Sequence, residues 1–292
     1  MKSTDRNGFS DMRKCLVILL LALLCCHISK AQEILRPVAA SYTLAVGSLR
    51  LNDTYLTPLE YTGSSYSFTY ERFQAMKFSP EKWVQNLRIT AGFGTTQNPA
   101  RNADMLTTGL SASWGMLRKW NIPQVNGLSL SAGGMVEGNI GALYLSRNGN
   151  NPVTAKASVT LAPAGLAVYN FKINRLPVTL FWQTSLPLLG AFFSQQYGEL
   201  YYEIYLGDKK GLARFASPAS YFRFCNTIAA DLRLGGTFIR VGYNNNLTST
   251  RAHNITTNIS SHSLVIGLSG EWLSLNPRKP VAQDARTISA IY

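Results

Sequence analysis

The feature that most constrains this chain is an alternation of apolar with small or polar residues, recurring in segments of about ten residues or more between turn-rich stretches. Successive side chains of a strand point to opposite faces, so a period of two marks strands with two unlike faces. After residue 31 no apolar stretch reaches the roughly 20 residues that a membrane-spanning helix needs. Ten segments are expected to be strands: 40–51, 64–77, 83–95, 104–118, 127–142, 153–171, 176–189, 219–234, 236–247 and 258–273. Tyr42, Leu44 and Val46 set the pattern in the first, and Leu264, Ile266 and Leu268 in the last. Pro163-Ala164-Gly165 is expected to mark a bulge or a change of register in the sixth.

The second face of each strand is small and polar. Ser65, Ser67 and Thr69 lie opposite Tyr66, Phe68 and Tyr70, and Ser111 and Ser113 lie opposite Leu110, Ala112 and Trp114. A broad apolar face with a small, polar opposite face is the pattern of a strand between lipid and a wet or polar lumen. Charged residues make up only 15% of the chain, below the roughly 25% of soluble domains. The fold class expected is therefore all-β: an antiparallel up-and-down transmembrane barrel of about ten strands, with eight or twelve as alternatives. Nine charged residues fall on the lumen parity: Glu71, Arg88, Glu137, Lys156, Arg223, Asp231, Arg233, Arg240 and Glu271. Both signs occur, so a network of ion pairs filling a small lumen is expected, with a narrow basic constriction for anions as the alternative. Arg72 falls on the outer parity, which calls for a local bulge or for snorkelling to the membrane interface. Trp114, Trp182 and Trp272 are candidates for interfacial girdles.

Connection lengths bear on orientation. Taken between the expected strands, the odd connections (52–63, 96–103, 143–152, 190–218, 248–257) are longer on the whole than the even ones (78–82, 119–126, 172–175, 235). Outer-membrane barrels have long external loops and short periplasmic turns. This reading places both ends of the mature chain in the periplasm.

The N-terminal part reads as an export signal. Arg13 and Lys14 precede the apolar run Cys15–Cys26, and Ser29-Lys30-Ala31 supplies small residues before an expected cleavage ahead of Gln32. The domains expected are a signal peptide over 1–31, an outer-membrane barrel over 32–275 and a periplasmic tail over 276–292, where Ile288 to Tyr292 are candidates for a short added strand. Leu23-Leu24 before Cys25 argues against a lipoprotein signal. Cleavage would leave Cys225 alone, which excludes an internal disulfide and a thiolate metal cluster. The full chain carries +13, and residues 1–31 hold only five of its Lys/Arg and two of its Asp/Glu. In an exported protein that excess suits anionic lipid, including lipopolysaccharide, with other envelope proteins as further partners. No Lys/Arg cluster with interleaved aromatics points to nucleic acid.

Chemistry is sparse. His253 lies in an expected loop. His262 shares the apolar parity of Leu264 and Ile266, which turns it away from a pocket. Neither is expected to act as a general base, and no catalytic residue is assigned. No ligand spacing for a metal and no phosphate loop occurs, and no cofactor is expected. Asn246, Asn254 and Asn258 open Asn-x-Ser/Thr triplets, which are read as loop composition.

The stretch Leu51-Asn52-Asp53-Thr54-Tyr55-Leu56-Thr57-Pro58-Leu59-Glu60-Tyr61-Thr62-Gly63 resembles the "LDTYLSPLEYSG" segment of a Bacteroidota family, domain of unknown function 3316. It departs from that segment by the inserted Asn52 and by Thr at 57 and 62. Pro187-Leu188-Leu189-Gly190 and Tyr197-Gly198-Glu199-Leu200-Tyr201-Tyr202-Glu203 are similar too, so the resemblance covers nearly the whole mature chain. It implies an outer-membrane barrel without an assigned activity, and no functional residue is carried over. The function expected is structural, or the binding of a ligand or partner. A narrow channel for small anionic solutes and a lipid-modifying enzyme are the alternatives.

Overall fold

The computed structural model describes residues 34–149, 151–198, 200–207, 211–273, 281 and 284–292. The export segment with Cys15, Cys25 and Cys26, and the Pro277–Pro280 stretch, lie outside the described residues. The strands in chain order are β1 (Ile34–Leu35), β2 (Val38–Asp53), β3 (Thr57–Ala75), β4 (Trp83–Gln97), β5 (Asp104–Asn121), β6 (Leu128–Leu145), β7 (Val153–Ile173), β8 (Leu176–Ser185), β9 (Leu189–Phe193), β10 (Ala213–Ala216), β11 (Tyr221–Leu234), β12 (Thr237–Ala252), β13 (Ile255–Trp272) and β14 (Arg286–Thr287). One short helix, α1 (Tyr201–Tyr205), lies between β9 and β10.

The chain falls into two units, one of residues Met1–Leu35 with Leu275–Thr287, the other of Arg36–Ser274 with Ile288–Tyr292. In the first, β1 and β14 form a two-residue parallel pair. The second is a closed antiparallel barrel of ten strands. Neighbouring strands pair in sequence order from β2 to β8, then β8 with β11, β11 with β12 and β12 with β13. The β13–β2 ladder, from Trp272↔Val38 to Thr257↔Asp53, closes the ring and leaves no long free edge.

Alternation decides the two faces as expected. Tyr42, Leu44, Val46, Ile140, Val159, Leu264 and Ile266 are exposed on the outside. Residues at the intervening positions, among them Ser41, Thr43, Ser131, Thr160, Thr227 and Ser263, are buried. The outward apolar side chains run around the wall as a belt far broader than the few hundred Å² patches of soluble monomers. A face of this kind suits hydrocarbon.

Tight turns join several strands. His253 and Asn254 link β12 to β13 as a two-residue turn with φ of 50° and 63°. Two positive φ values are the mark of a type I′ hairpin, whose twist matches that of the strands. Gly235, at φ 67°, starts the two-residue turn between β11 and β12.

Three expectations need correction. First, the strands run further than the apolar alternation does: β3 begins at Thr57 and β12 continues to Ala252. The outward residues there are polar (Ser48, Arg50, Ser64, Ser249), so the alternation fades while the ladder continues. The connections become 54–56, 98–103, 146–152 and 253–254 at one end, against 76–82, 122–127, 174–175 and 235–236 at the other. Apart from 186–220 the two sets no longer differ in length, and the loop-length argument for orientation rests on that segment alone. Second, 190–218 is not one loop. It holds β9, paired with β7, then α1, then β10, paired with β9. Third, the irregularity near Pro163 falls on the neighbouring strand. β7 stays in register with β6 through Gly134↔Pro163. β8 stops at Ser185 and β9 resumes at Leu189, with the Pro163 carbonyl accepting from the Leu186 N–H at 3.2 Å. Proline has no N–H to offer that ladder, and the break occurs where it is missing.

Arg72 points outward without a bulge, since Ala40↔Arg72 and Arg72↔Leu87 lie in continuous ladders. Its Nη2 donates to Gln74 Oε1 at 2.7 Å, along the strand toward the barrel end, which is snorkelling. Of the three girdle candidates, Trp272 closes β13 at a barrel end. Trp114 sits deeper in the belt between Leu87 and Val136, and the Trp182 Nε1–H donates to Asn226 Oδ1 at 2.5 Å.

Candidate functional site

The lumen is layered. At the end where β7 turns into β8 it is filled by Phe73, Val84, Leu117, Met135, Leu166, Val168 and Phe181. At the opposite end Leu49, Leu51, Leu56, Tyr61, Met105, Leu143 and Leu145 form a second apolar cluster. Glu71, Arg88, Glu137, Arg223, Asp231 and Arg240 lie between them, whereas Asp53 ends β2 beyond Leu49 and Leu51. Uniformly small and polar lumen residues were expected. The apolar ones share the parity of the polar ones but sit near the strand ends, where the lumen is sealed.

The most buried part of the charged layer centres on Arg240 and Asp231, directly opposite each other in the β11–β12 ladder. Arg240 donates from Nε to Asp231 Oδ1 at 2.7 Å and from Nη2 to Oδ2 at 2.8 Å. Its Nη1 donates to Ser41 Oγ at 2.9 Å and to Glu71 Oε2 at 3.2 Å, and its guanidinium lies 4.2 Å from the centre of the Phe181 ring. One side chain thus ties β12 to β11, β2, β3 and β8. Glu71 is bridged in turn by Arg88, with Nη2–Oε1 2.9 Å. Arg88 then crosses the lumen to Gln183 Oε1 at 2.5 Å, and Gln183 Nε2 returns to Asn86 Oδ1 at 3.1 Å. This clasp joins β4 to β8, which are not neighbours in the sheet.

Two further pairs lie nearer the other end. Glu137 Oε2 is 3.5 Å from Arg223 Nη1, and Arg223 also bonds Asn139. Lys156 Nζ is 2.7 Å from Asp53 Oδ2 and 2.8 Å from Thr257 Oγ1, which donates to Asp53 at 2.7 Å. Asp53 is 0% exposed. Its Oδ1 also accepts from the Tyr55 and Leu56 N–H groups of the turn that follows. Asp53 continues the inward parity of Ser41 and Thr43, which was the available signal for a lumen residue.

Seven of the nine expected lumen residues therefore come together in these pairs: Glu71, Arg88, Glu137, Lys156, Arg223, Asp231 and Arg240. Glu271 is half-buried at the barrel end and accepts from Ser289 Oγ at 2.5 Å. Arg233 does not reach the lumen. It is exposed next to the Gly235 turn, bonds the Gly235 carbonyl at 3.3 Å and lies over the Phe238 ring. Parity gives direction but not depth, and Arg233 lies beyond the last filled layer.

Beside the pairs are two adjoining cavities. One, of about 120 Å³, is bordered by Glu71, Arg88, Glu137, Gln183, Arg223 and Arg240. The other, of about 280 Å³, is bordered by hydroxyl groups such as Ser65, Ser158 and Thr257 and by apolar side chains such as Leu49, Phe192 and Ile259. Both reach Asn139, Arg223, Asn244 and Asn246.

The histidines lie elsewhere. His262 is exposed on the outer face, its Nδ1 2.6 Å from the Tyr243 hydroxyl and 3.0 Å from Asn245 Nδ2. His253 sits in its turn with Nε2 3.2 Å from the Gly211 carbonyl. Cys225 is a buried free thiol. Among the described residues no group of three His, Cys, Asp or Glu is arranged to hold a metal.

The segment Ile288–Tyr292 packs inside the barrel. A short strand was the expectation there, but the segment has no strand pairing. Ala290 and Ile291 are buried within the apolar cluster of that end.

Comparison with known proteins gives three findings. The profile of the family described as "Protein of unknown function (DUF3316)" matches residues 14–279. A search of curated proteins found no match. Among solved structures, the transport unit of the autotransporter AIDA-I from Escherichia coli aligns with 11% identity and a TM-score of 0.41, over 85% of this chain and 92% of that one. The translocator domain of the autotransporter NalP from Neisseria meningitidis aligns with 10% identity and a TM-score of 0.36, over 91% and 98%. Likeness at that level carries no functional argument.

Proposed function

We propose, from the premise that this chain belongs to the family described as protein of unknown function DUF3316, that it spans a bacterial outer membrane as a closed, non-conducting barrel with a structural or binding role. The observation that carries the reading is the paired state of the lumen charges. Arg240, Arg88, Arg223 and Lys156 each face a carboxylate at 2.7 to 3.5 Å. A channel selective for anions needs cations that are free to meet a solute, whereas each of these is engaged with a carboxylate inside the barrel. The outward apolar belt supports the membrane location, and the export signal read in residues 13–31 supports the route. In this reading the chain is not an enzyme, because among the described residues neither His253 nor His262 stands beside a nucleophile in a cavity.

The cavity of about 280 Å³ favours a binding role for the lumen alongside the structural one. Its wall combines hydroxyl groups with apolar side chains such as Leu49, Phe192 and Ile259, which suits a small neutral molecule with both polar and apolar parts.

The test has two parts. The protein from fractionated membranes should run as a heat-modifiable band in the outer-membrane fraction. In planar bilayers it should give no steady conductance. Recovery only from the soluble periplasm would defeat the location, and sustained anion-selective current would defeat the closed lumen.

A further inference from the structure

The segment Ile288–Tyr292 is held almost wholly by barrel side chains. Ser289 Oγ donates to Glu271 Oε1 at 2.5 Å. The Ala290 carbonyl accepts from Lys119 Nζ at 3.1 Å, and the Ile291 carbonyl from Asn170 Nδ2 at 2.9 Å. The Tyr292 hydroxyl donates to Asp231 Oδ2 at 2.6 Å and lies 3.4 Å from Ser269 Oγ. The Tyr292 ring stacks on Phe238, with centroids 4.3 Å apart and planes 18° apart. Ala290 and Ile291 are each 2% exposed.

These contacts divide by kind. Lys119 and Asn170 read backbone carbonyls, which any sequence presents. Glu271 reads a hydroxyl at one position, and Phe238 with Asp231 reads a phenol three residues later. That is the logic of a peptide site, with main-chain bonds for affinity and placed side-chain contacts for specificity. The barrel does not need the segment as an edge, since its ladders already close through β13 and β2.

We propose that this mouth, formed by β5, β7, β11, β12 and β13, is a peptide-binding socket for a Ser-x-x-Tyr segment. The chain's own Ser289–Tyr292 occupies it, and a peptide of the same chemistry exchanges with it. Asp231 couples the socket to the lumen, because the carboxylate that receives Tyr292 also holds Arg240. The socket does not depend on the lumen being non-conducting.

The probe is the synthetic peptide Ile-Ser-Ala-Ile-Tyr, added to a chain ending at Thr287 whose folding is verified by heat-modifiability. Fluorescence anisotropy of the labelled peptide should show saturable binding. A Tyr292→Ala peptide should bind at least tenfold more weakly. A folded, shortened barrel that binds no peptide at millimolar concentration would overturn the proposal, as would equal binding of the Tyr292→Ala peptide. If the shortened chain does not fold, the full chain with Ala290→Cys takes its place. Its labelling by a soluble maleimide should be slow and should accelerate with excess peptide. Labelling that the peptide leaves unchanged would overturn exchange.

Discussion

Arg240 and Asp231 face each other across the β11–β12 ladder and exchange two parallel hydrogen bonds of 2.7 and 2.8 Å. The hairpin brings them opposite, but the rest of the network decides what the pair does. Glu71 and Ser41 take the Nη1 donors of Arg240, and the Tyr292 hydroxyl donates to the same Asp231 Oδ2 that accepts from Arg240 Nη2. Removing one member of a buried pair leaves a charge uncompensated, which typically costs about 3–5 kcal/mol. Arg240→Ala is therefore expected to lower stability by about that amount, read from urea unfolding of the folded barrel in lipid or detergent. Arg240→Met combined with Asp231→Leu is expected to lose clearly less than the sum of the single changes, because the double variant buries no unpaired charge.

Gln183 closes the lumen sideways by accepting from Arg88 and donating to Asn86. Gln183→Ala removes both bonds and leaves Arg88 with Glu71 alone. The expected loss is about 1–3 kcal/mol, as for a buried polar partner removed. Bilayer recordings of this variant are expected to show brief current fluctuations absent from the parent protein. A silent variant of unchanged stability would speak against the clasp.

Leu264 is 74% exposed on the outer face of β13. In water, Leu264→Arg would be harmless. In a bilayer, an arginine on the lipid face costs about 2–4 kcal/mol near the midplane. The variant is expected to fold poorly into lipid vesicles, measured as the heat-modifiable fraction, and Ser249→Arg on the polar part of the outer wall is expected to fold normally. Equal folding of both would remove the basis for lipid contact.

Tyr292 lies outside the strands, and its phenol is pushed above its ordinary value, first by burial and then by the Asp231 carboxylate beside it. A group raised in the folded state contributes fully below its unfolded pKa of about 10. That contribution is lost as pH climbs beyond this value, since the undocked tyrosine releases its proton first. Docking of the segment, read from the fluorescence of a label on an Ala290→Cys variant, is expected to hold at neutral pH and to be lost progressively above pH ~10. Tyr292→Phe keeps the stack on Phe238 and lacks the titrating hydroxyl, so that part of its pH dependence is expected to disappear.

Much of this protein is written locally. Period-two alternation around Tyr42-Leu44-Val46 and Leu264-Ile266-Leu268 is a property of neighbours in sequence, and it is enough to specify strands and their faces and to narrow their number to about ten. The same parity singles out Glu71, Arg88, Asp231 and Arg240 as inward-facing, because a strand cannot turn one residue without turning the next. Strand ends were less legible, since alternation weakens wherever the outer wall leaves the apolar belt while backbone pairing goes on, as in Ser249 to Arg251.

Sequence alone therefore determined the direction in which each side chain points around an all-β barrel. Tertiary structure decided depth and partnership. Closure of β13 on β2 sets which inward residues share a level. It puts Arg88 against Gln183 across the lumen, leaves Arg233 outside it and brings Tyr292 onto Asp231, 61 residues away. Those meetings depend on the stagger between strands and on the width of the closed ring, which no stretch of ten residues contains.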